Sequence, residues 1–147
     1  MGYTDGSGIN EHYPDLSPKP LASDLEGTEA GARNVLLAFT RAIEMREYDQ
    51  AWDMLDESAQ QRWSKAKFNR FFDGLSNIAV AVPGGTIEGA AGSSYYTSEA
   101  ELTATDANGQ PARMEGQLVL RRVNDVPEAT ERQLLWQVYR VDLPMTH

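Results

Sequence analysis

The 147-residue chain contains no cysteine. This absence excludes disulfides, thiolate metal ligands and cysteine nucleophiles. Histidine is almost as scarce, since only His12 and His147 occur and both lie near an end of the chain. The sequence also lacks the residue spacings of an EF-hand, a P-loop or an H-x-x-x-H metal motif. We therefore expect neither a metal site nor a cofactor.

Long hydrophobic runs and an excess of positive charge are missing as well. No apolar run reaches the roughly 18 residues that a membrane-spanning helix needs, so we expect no transmembrane segment. The net charge is −9, from 13 Lys and Arg against 22 Asp and Glu. Such a chain is repelled by phosphate backbones and anionic lipids, and nucleic acid is not an expected partner. The acidity by itself indicates solubility.

The first 22 residues are polar and contain three prolines, at positions 14, 18 and 20. Proline fixes φ, lacks an N–H and biases the preceding residue away from helix. We expect residues 1–22 to form a flexible arm before a single domain at 23–147. A polar leader of this kind is typical of the segment after the anchor of a bacterial lipoprotein, and equally of a plain terminus. Export, periplasmic or lipid-anchored, is the expectation that we favour over the cytoplasm.

A stretch with apolar residues at spacings of three and four follows the arm. These residues are Ala32, Val35, Leu36, Phe39 and Ile43. Such spacing places them on one face of an amphipathic helix. We expect the helix to begin between Ser23 and Thr28 and to end near Glu47. Short helices are predicted at 50–55, 57–63 and 65–73, with N-caps at Asp49, at Asp56 or Ser58, and at Ser64.

After Gly74 the apolar period changes to two, which indicates strands. In one of the two long strands Ala100, Leu102 and Ala104 alternate with polar residues. In the closing strand we expect Trp136 and Val138 on one face, and Tyr139 and Val141 on the other. The predicted segments are strands near 78–82, 86–91, 94–105, 112–123 and 133–143, turns at 83–85 and 106–109, and a polar loop at 124–132.

Helices followed by a long-stranded antiparallel sheet give an α+β order. Three segments, AFTRAI at 38–43, YDQAWDML at 48–55 and WQVYRVDL at 136–143, resemble the nuclear transport factor 2-like superfamily. The resemblance covers roughly residues 28–143 and is closest to a bacterial lipoprotein-type branch. It implies N-terminal helices packed on a strongly curved antiparallel sheet, which forms a cone with a pocket at its open end.

The resemblance also implies several possible roles, because such cones include small isomerases and dehydratases, ligand binders and assembly domains. The catalytic members use an Asp base or an Asp/His pair with a Tyr donor. Here the body of the chain has no His, and no carboxylate–Tyr pair is specific enough to assign as catalytic. The candidate bases are Glu88, Glu99, Glu101 and Asp142, and the candidate donors are Tyr95, Tyr96 and Tyr139.

Large apolar side chains are candidates for lining the implied pocket, although core packing is the simpler interpretation. The candidates are Tyr48, Trp52, Trp63, Phe68, Phe72, Tyr96, Met114, Trp136 and Tyr139. Three arginines, Arg121, Arg122 and Arg140, either bind an anionic ligand group or pair with Glu99 and Glu101 across strands. We favour the pairing.

Taken together, the sequence favours a non-catalytic binding or assembly module of the bacterial cell envelope. We expect a small apolar pocket, a small apolar ligand or a protein partner, and a homodimer formed through the sheet face. The alternative is a small cofactor-independent isomerase, dehydratase or cyclase that acts on an apolar ligand. A third possibility is a toxin-immunity or secretion scaffold, whose acidic surface binds a basic partner.

Overall fold

A computed structural model describes residues 16–18, 27–90, 92–123, 135–143 and 145–146. Within these ranges helices come first and strands follow, which confirms the predicted α+β order. The helices are α1 (Glu29–Glu44), α2 (Tyr48–Asp53), α3 (Glu57–Arg62) and α4 (Lys65–Phe72). The strands are β1 (Ser76–Ala81), β2 (Gly85–Ala90), β3 (Ser93–Thr105), β4 (Pro111–Val123), β5 (Gln137–Asp142) and β6 (Met145–Thr146).

Capping side chains define where most of the helices begin. The Thr28 hydroxyl accepts the N–H of Ala30 and caps α1, while Asp56 and Ser64 cap α3 and α4 as predicted. The prediction for α2 is wrong, because Glu47 occupies its N-cap position and Asp49 lies inside the first turn. Helix α1 also ends earlier than expected, since the backbone turns at Arg46, whose φ is 63°.

The apolar face of α1 lies against the inner face of the sheet. Leu36 and Phe39 of the helix have no exposed surface, and neither do Leu102 and Leu118 of the two longest strands. Burying one such side chain stabilises the fold by about 1.5–3 kcal/mol. The helix and the sheet therefore share one hydrophobic core, as the sequence periodicity predicts.

One antiparallel sheet contains all the strands of the described ranges, in the order β1-β3-β4-β5. Strand β2 also pairs with β3, and β6 also pairs with β4. Strands β3 and β4 pair along their whole length, from Ser93 opposite Val123 to Thr105 opposite Pro111. The sheet is not closed into a barrel and is consistent with the cone-like shape implied by the resemblance.

The segment Pro83-Gly84-Gly85 does not reverse the chain as a hairpin turn would. Strands β1 and β2 both run antiparallel to β3 and pair with successive parts of it, so the segment interrupts a single edge. The Gly84 carbonyl accepts from the Glu99 N–H at 3.2 Å and from the Ser98 hydroxyl at 3.1 Å. A Cβ on Gly85 would lie 2.3 Å from the Thr97 carbonyl oxygen, so glycine allows this close approach.

Helix α1 also contacts the edge of the sheet that is formed by β1. The Glu44 carboxylate accepts the backbone N–H of Val80 at 2.8 Å, and the Arg33 guanidinium donates to the Val82 carbonyl at 2.9 Å. Unpaired backbone groups on an edge strand invite pairing with another chain. These two side chains satisfy such groups and fix both ends of α1 relative to the edge.

The closing strand carries a bulge that the sequence pattern did not predict. Its ladder with β4 passes from Val119–Arg140 to Leu120–Val138, which leaves Tyr139 unpaired. The extra residue places Val141 opposite the buried Leu118, so Val141 packs against the core. The predicted alternation is therefore wrong at Val141. Strand β5 also begins at Gln137 within the described residues, whereas 133–134 lie outside them.

Part of the expected arm contacts the body of the domain. Leu16 is only 8% exposed, belongs to the hydrophobic core, and donates its backbone N–H to the Gln50 side-chain oxygen at 2.9 Å. Deleting the arm would therefore remove a core side chain. The other arm residues, apart from Ser17 and Pro18, and the loop predicted at 124–132 lie outside the described residues.

Phe39→Ala tests the central packing of α1. Because Phe39 is fully buried, its truncation should lower the free energy of unfolding by roughly 3–5 kcal/mol. Leu37→Ala is the matched control on the same helix, since Leu37 is 44% exposed and should cost about 0.5 kcal/mol or less. Urea unfolding measures both values. Equal losses in the two variants would contradict the helix orientation.

Gly85→Ala tests the interrupted edge. The new methyl group would collide with backbone atoms of β3, and we expect a loss of about 1–3 kcal/mol, as for other overpacked sites. Gly84→Ala is the control, because a Cβ there meets nothing within 4 Å. Thermal unfolding of both variants distinguishes this geometry from a loose turn, in which the two substitutions would behave alike.

Candidate functional site

Aromatic rings fill the space between α4 and the rest of the core. The Phe68 ring lies 6.4 Å from Phe39, 5.8 Å from Trp63 and 5.1 Å from Phe72, measured between ring centroids. Phe68 and Phe72 have no exposed surface. These two predicted pocket residues therefore belong to the packed core.

Tyr48, Trp52 and Trp63 lie at the partly exposed side of the same aromatic cluster. The Tyr48 ring stacks on Phe72 at 5.2 Å, and the Trp52 indole N–H donates to the Trp63 carbonyl at 2.6 Å. The Lys65 ammonium lies over the Trp52 ring at 5.2 Å. Ring stacking, a hydrogen bond and a cation–π contact thus join the helices here.

The other four predicted pocket residues lie on the sheet, but not on one face. Tyr96 and Met114 are fully buried on the inner face, and Trp136 is 4% exposed. Tyr139 lies on the outer face, where its ring contacts that of Tyr95 at 5.6 Å. The bulge in β5 separates Tyr139 from the other candidates.

The Tyr96 hydroxyl marks a polar cluster at the end of the cone where α1 begins. It accepts from the Arg33 guanidinium at 3.3 Å and donates to the Glu29 carboxylate at 3.4 Å. The Arg33 guanidinium also donates to the Val82 carbonyl, and this second hydrogen bond fixes the position of the Arg33 side chain. Sequence reasoning missed Glu29 and Arg33. Their spacing of four residues at the start of an amphipathic helix was the available signal.

Arg122 and Trp136 lie toward the same end of the domain, since Arg122 borders Gly27 and Trp136 immediately precedes β5. Arg122 follows the buried Leu118 and Leu120 at a spacing of two, so it continues the inner face of β4. Its guanidinium lies close to Gly27, where an added Cβ would be 3.2 Å from Nη1. Arg122 Nε and Trp136 Nε1 are both buried, and neither has a hydrogen-bond partner in the part of the chain that the structure describes.

The candidate bases on the strands lie on the outer face instead. Glu99, Glu101 and Asp142 line an open hollow of about 740 Å³, and Glu88 lines a second hollow of about 460 Å³ beside Tyr139. None of these four carboxylates is buried. The described geometry therefore places them away from the inner face, which carries the buried Tyr96.

The expected pairing of strand arginines with Glu99 and Glu101 is not what the structure shows. Arg113 forms the ion pairs, with Glu101 and with Glu115, which lie directly opposite each other. Arg121 lies opposite Tyr95 and donates to the Ser93 hydroxyl. The pairing register of β3 and β4 explains why the expected ion pairs do not form, because Glu99 lies opposite Gln117 and Glu101 lies opposite Glu115.

The described residues contain no group of three or more His, Cys, Asp and Glu side chains placed to hold a metal ion. None of the described helices combines the length and the apolar character needed to cross a bilayer.

Comparison with known proteins supports the fold. No family model and no curated protein sequence matches the chain. Among solved structures 18 chains match. One, from Novosphingobium aromaticivorans, bears a provisional name as an aromatic ring hydroxylase; it is 13% identical over 78% of this chain and 90% of its own, with a TM-score of 0.54.

This likeness shows a shared α+β fold, and the nuclear transport factor 2-like resemblance seen in the sequence stays a prediction. An identity of 13% shows similarity of fold and does not carry over an activity. The lipoprotein-type branch stays a prediction.

Tyr48→Phe tests the burial of the Tyr48 hydroxyl. Burial raises the pKa of this phenol above its ordinary 10.0, although the neighbouring Arg46 partly opposes the shift. A raised folded-state pKa means that stability is lost as the pH rises from 10.0 through the folded-state pKa. The variant should lose less stability over that range than the parent chain. Parallel pH slopes in urea unfolding would contradict this assignment.

Proposed function

We propose that the chain is a non-catalytic ligand-binding module, with its site at the open end of the cone. The observation that carries this proposal is the gathering of polar side chains around the buried Tyr96 ring. Arg33 and Glu29 bond to its hydroxyl from α1. Leu120 is paired with Tyr96, and Arg122 follows Leu120 on the same face of β4 at a spacing of two. Few, well-placed polar groups beside apolar surface are typical of small-molecule sites.

The surroundings of Glu29 favour binding over catalysis. A carboxylate acts as a base near neutral pH when apolar surroundings disfavour its charge. Glu29 is exposed to solvent, and its carboxylate already accepts a hydrogen bond from the Tyr96 hydroxyl. Farther inside, Phe39, Phe68 and Phe72 fill the core. This arrangement supports a shallow recognition site near the entrance.

The alternative function is a cofactor-independent isomerase or dehydratase. One observation favours it, namely the separation of 3.4 Å between the Tyr96 hydroxyl and the Glu29 carboxylate. Glu29 would be the base and Tyr96 the hydrogen-bond donor to a developing oxyanion. The fold neighbour's name refers to aromatic compounds, so aromatic molecules are suitable first probes for both functions.

The setting that we propose is the bacterial cell envelope. Its support is the polar, proline-containing leader of the sequence at residues 1–22. Cell fractionation tests this location in bacteria that express the complete coding region, and we expect the protein in the envelope fraction. Recovery in the cytoplasmic fraction alone would contradict the proposal.

Tyr96→Phe tests the binding site with 2-naphthol, a neutral aromatic probe that can hydrogen-bond. We expect titration calorimetry to show about tenfold weaker binding, which corresponds to the loss of one hydrogen bond. Tyr95→Phe, on the outer face, is the matched control and should bind like the parent chain. Absence of binding to the parent chain, or equal losses in both variants, would contradict the proposed site.

Glu29→Gln separates the two functions. If the chain only binds, the substitution should change the affinity for 2-naphthol by less than about threefold, since the amide oxygen can still accept from Tyr96. Turnover of an aromatic or apolar ligand that disappears in Glu29→Gln, with binding retained, would establish the enzymatic alternative.

We also propose that two copies associate through the outer sheet face. The aromatic pair Tyr95–Tyr139 offers apolar contact there, whereas Glu99, Glu101 and Asp142 would repel their counterparts in the second copy. Salt screens this repulsion, so the dimer fraction measured by light scattering should rise between low and high ionic strength. Tyr139→Asp should reduce it. A monomer at every salt concentration would contradict this association.

A further inference from the structure

We propose that the open end of the cone binds the carboxylate of an aromatic or apolar acid, through Arg122 Nε and Trp136 Nε1. This inference rests on the proposed function and names the class of ligand that the same site takes. Arg122 lies on β4 and Trp136 immediately precedes the neighbouring strand β5, and the two donors share two properties.

The first property is their position. The ladder between β4 and β5 ends with Arg121 opposite Gln137, and Arg122 and Trp136 are the next residue on each chain. Positions that face each other across two antiparallel strands have Cβ atoms about 4.5–5.5 Å apart, so residues one step beyond the last pair start close together. Leu120 and Val138, which precede and follow them, are paired and fully buried on the inner face. Both side chains therefore extend the core-facing row of their strands.

The second property is that both are buried donors without an acceptor. Trp136 is 4% exposed, and its Nε1 has no hydrogen-bond partner among the described residues; the same holds for Arg122 Nε. Native proteins rarely leave such groups unpaired, because each has lost its water without replacement. Indole and guanidinium groups only donate, so no rotation of the side chain converts either into an acceptor. A ligand oxygen would satisfy each of them.

The charges at this end select an anion. Arg122 and Arg33 are cationic, and Glu29 is the described carboxylate that contacts the cluster, where it accepts from Tyr96. The first turn of α1 lies beside Arg122, since Gly27 borders the guanidinium and Thr28 caps the helix. The N-terminal end of a helix carries partial positive charge, which favours an anion there.

A carboxylate suits two such donors. It is planar and offers two oxygens, so each donor can hold one, as in the paired contacts that arginine makes with carboxylates. The neighbours of the donors on the inner face, Leu120 and Val138, are apolar and fully buried. An aromatic or aliphatic acid would therefore place its charge on the two N–H groups in apolar surroundings.

The probes that test this inference are 2-naphthoate and its neutral analogue 2-naphthamide. We expect the full chain to bind the acid at least about tenfold more tightly, because only the acid pairs with the guanidinium charge. The indole N–H signal of Trp136, assigned by its loss in Trp136→Phe, should shift on addition of the acid. The signals of Trp52 and Trp63 should stay in place.

Arg122→Gln should reduce the affinity for 2-naphthoate at least about tenfold and leave that for 2-naphthamide nearly unchanged. Arg140→Gln is the matched control, because it removes the same charge on the exposed outer face. If Arg122→Gln fails to fold, the shift of the Trp136 signal in the parent chain decides the question, since that measurement does not use the Arg122 variant.

The outcomes separate the two proposals. Equal affinity for the acid and the amide, with loss of binding in Tyr96→Phe, would overturn the carboxylate inference and retain the ligand-binding function. Binding of the acid that shifts only Trp52 and Trp63 would overturn the inference as well. Failure of 2-naphthoate, 2-naphthamide and 2-naphthol alike to bind would overturn both.

Discussion

The burial of one face of α1 against the inner face of β3 and β4 is the constraint on which the rest of the structure depends. Phe39 is enclosed by the sheet on one side and by Phe68 on the other, so a single ring joins the helical and strand layers. A sheet must curve to follow a helix in this way. The first turn of α1 then lies beside Tyr96, whose hydroxyl bonds to Glu29 and Arg33.

The position of the polar cluster around the Tyr96 hydroxyl follows from how α1 is held at the sheet edge. Arg33 and Glu44, near opposite ends of the helix, bond to backbone groups of the edge at Val82 and Val80. The helix cannot slide along the sheet without breaking both contacts. Because Arg33 also reaches Tyr96, one side chain serves the architecture and the proposed site together.

Local patterns in the sequence predict the elements well, whereas features set by pairing between distant segments escape them. The spacing of Leu36 and Phe39 and the alternation around Leu102 follow directly from burial on one face. The bulge at Tyr139 depends on which β4 residue it meets, and no period in β5 encodes it. The contact of Arg33 with Tyr96 joins residues 63 positions apart, so only the assembled fold shows it.

The three tryptophans divide between the two layers of the domain. Trp52 and Trp63 are half-buried in the helical layer and linked by a hydrogen bond, whereas Trp136 is almost fully buried just before β5. The wavelength of indole fluorescence differs between polar and apolar surroundings. The intrinsic fluorescence of this chain therefore reports separately on its helices and on its sheet, without any added label.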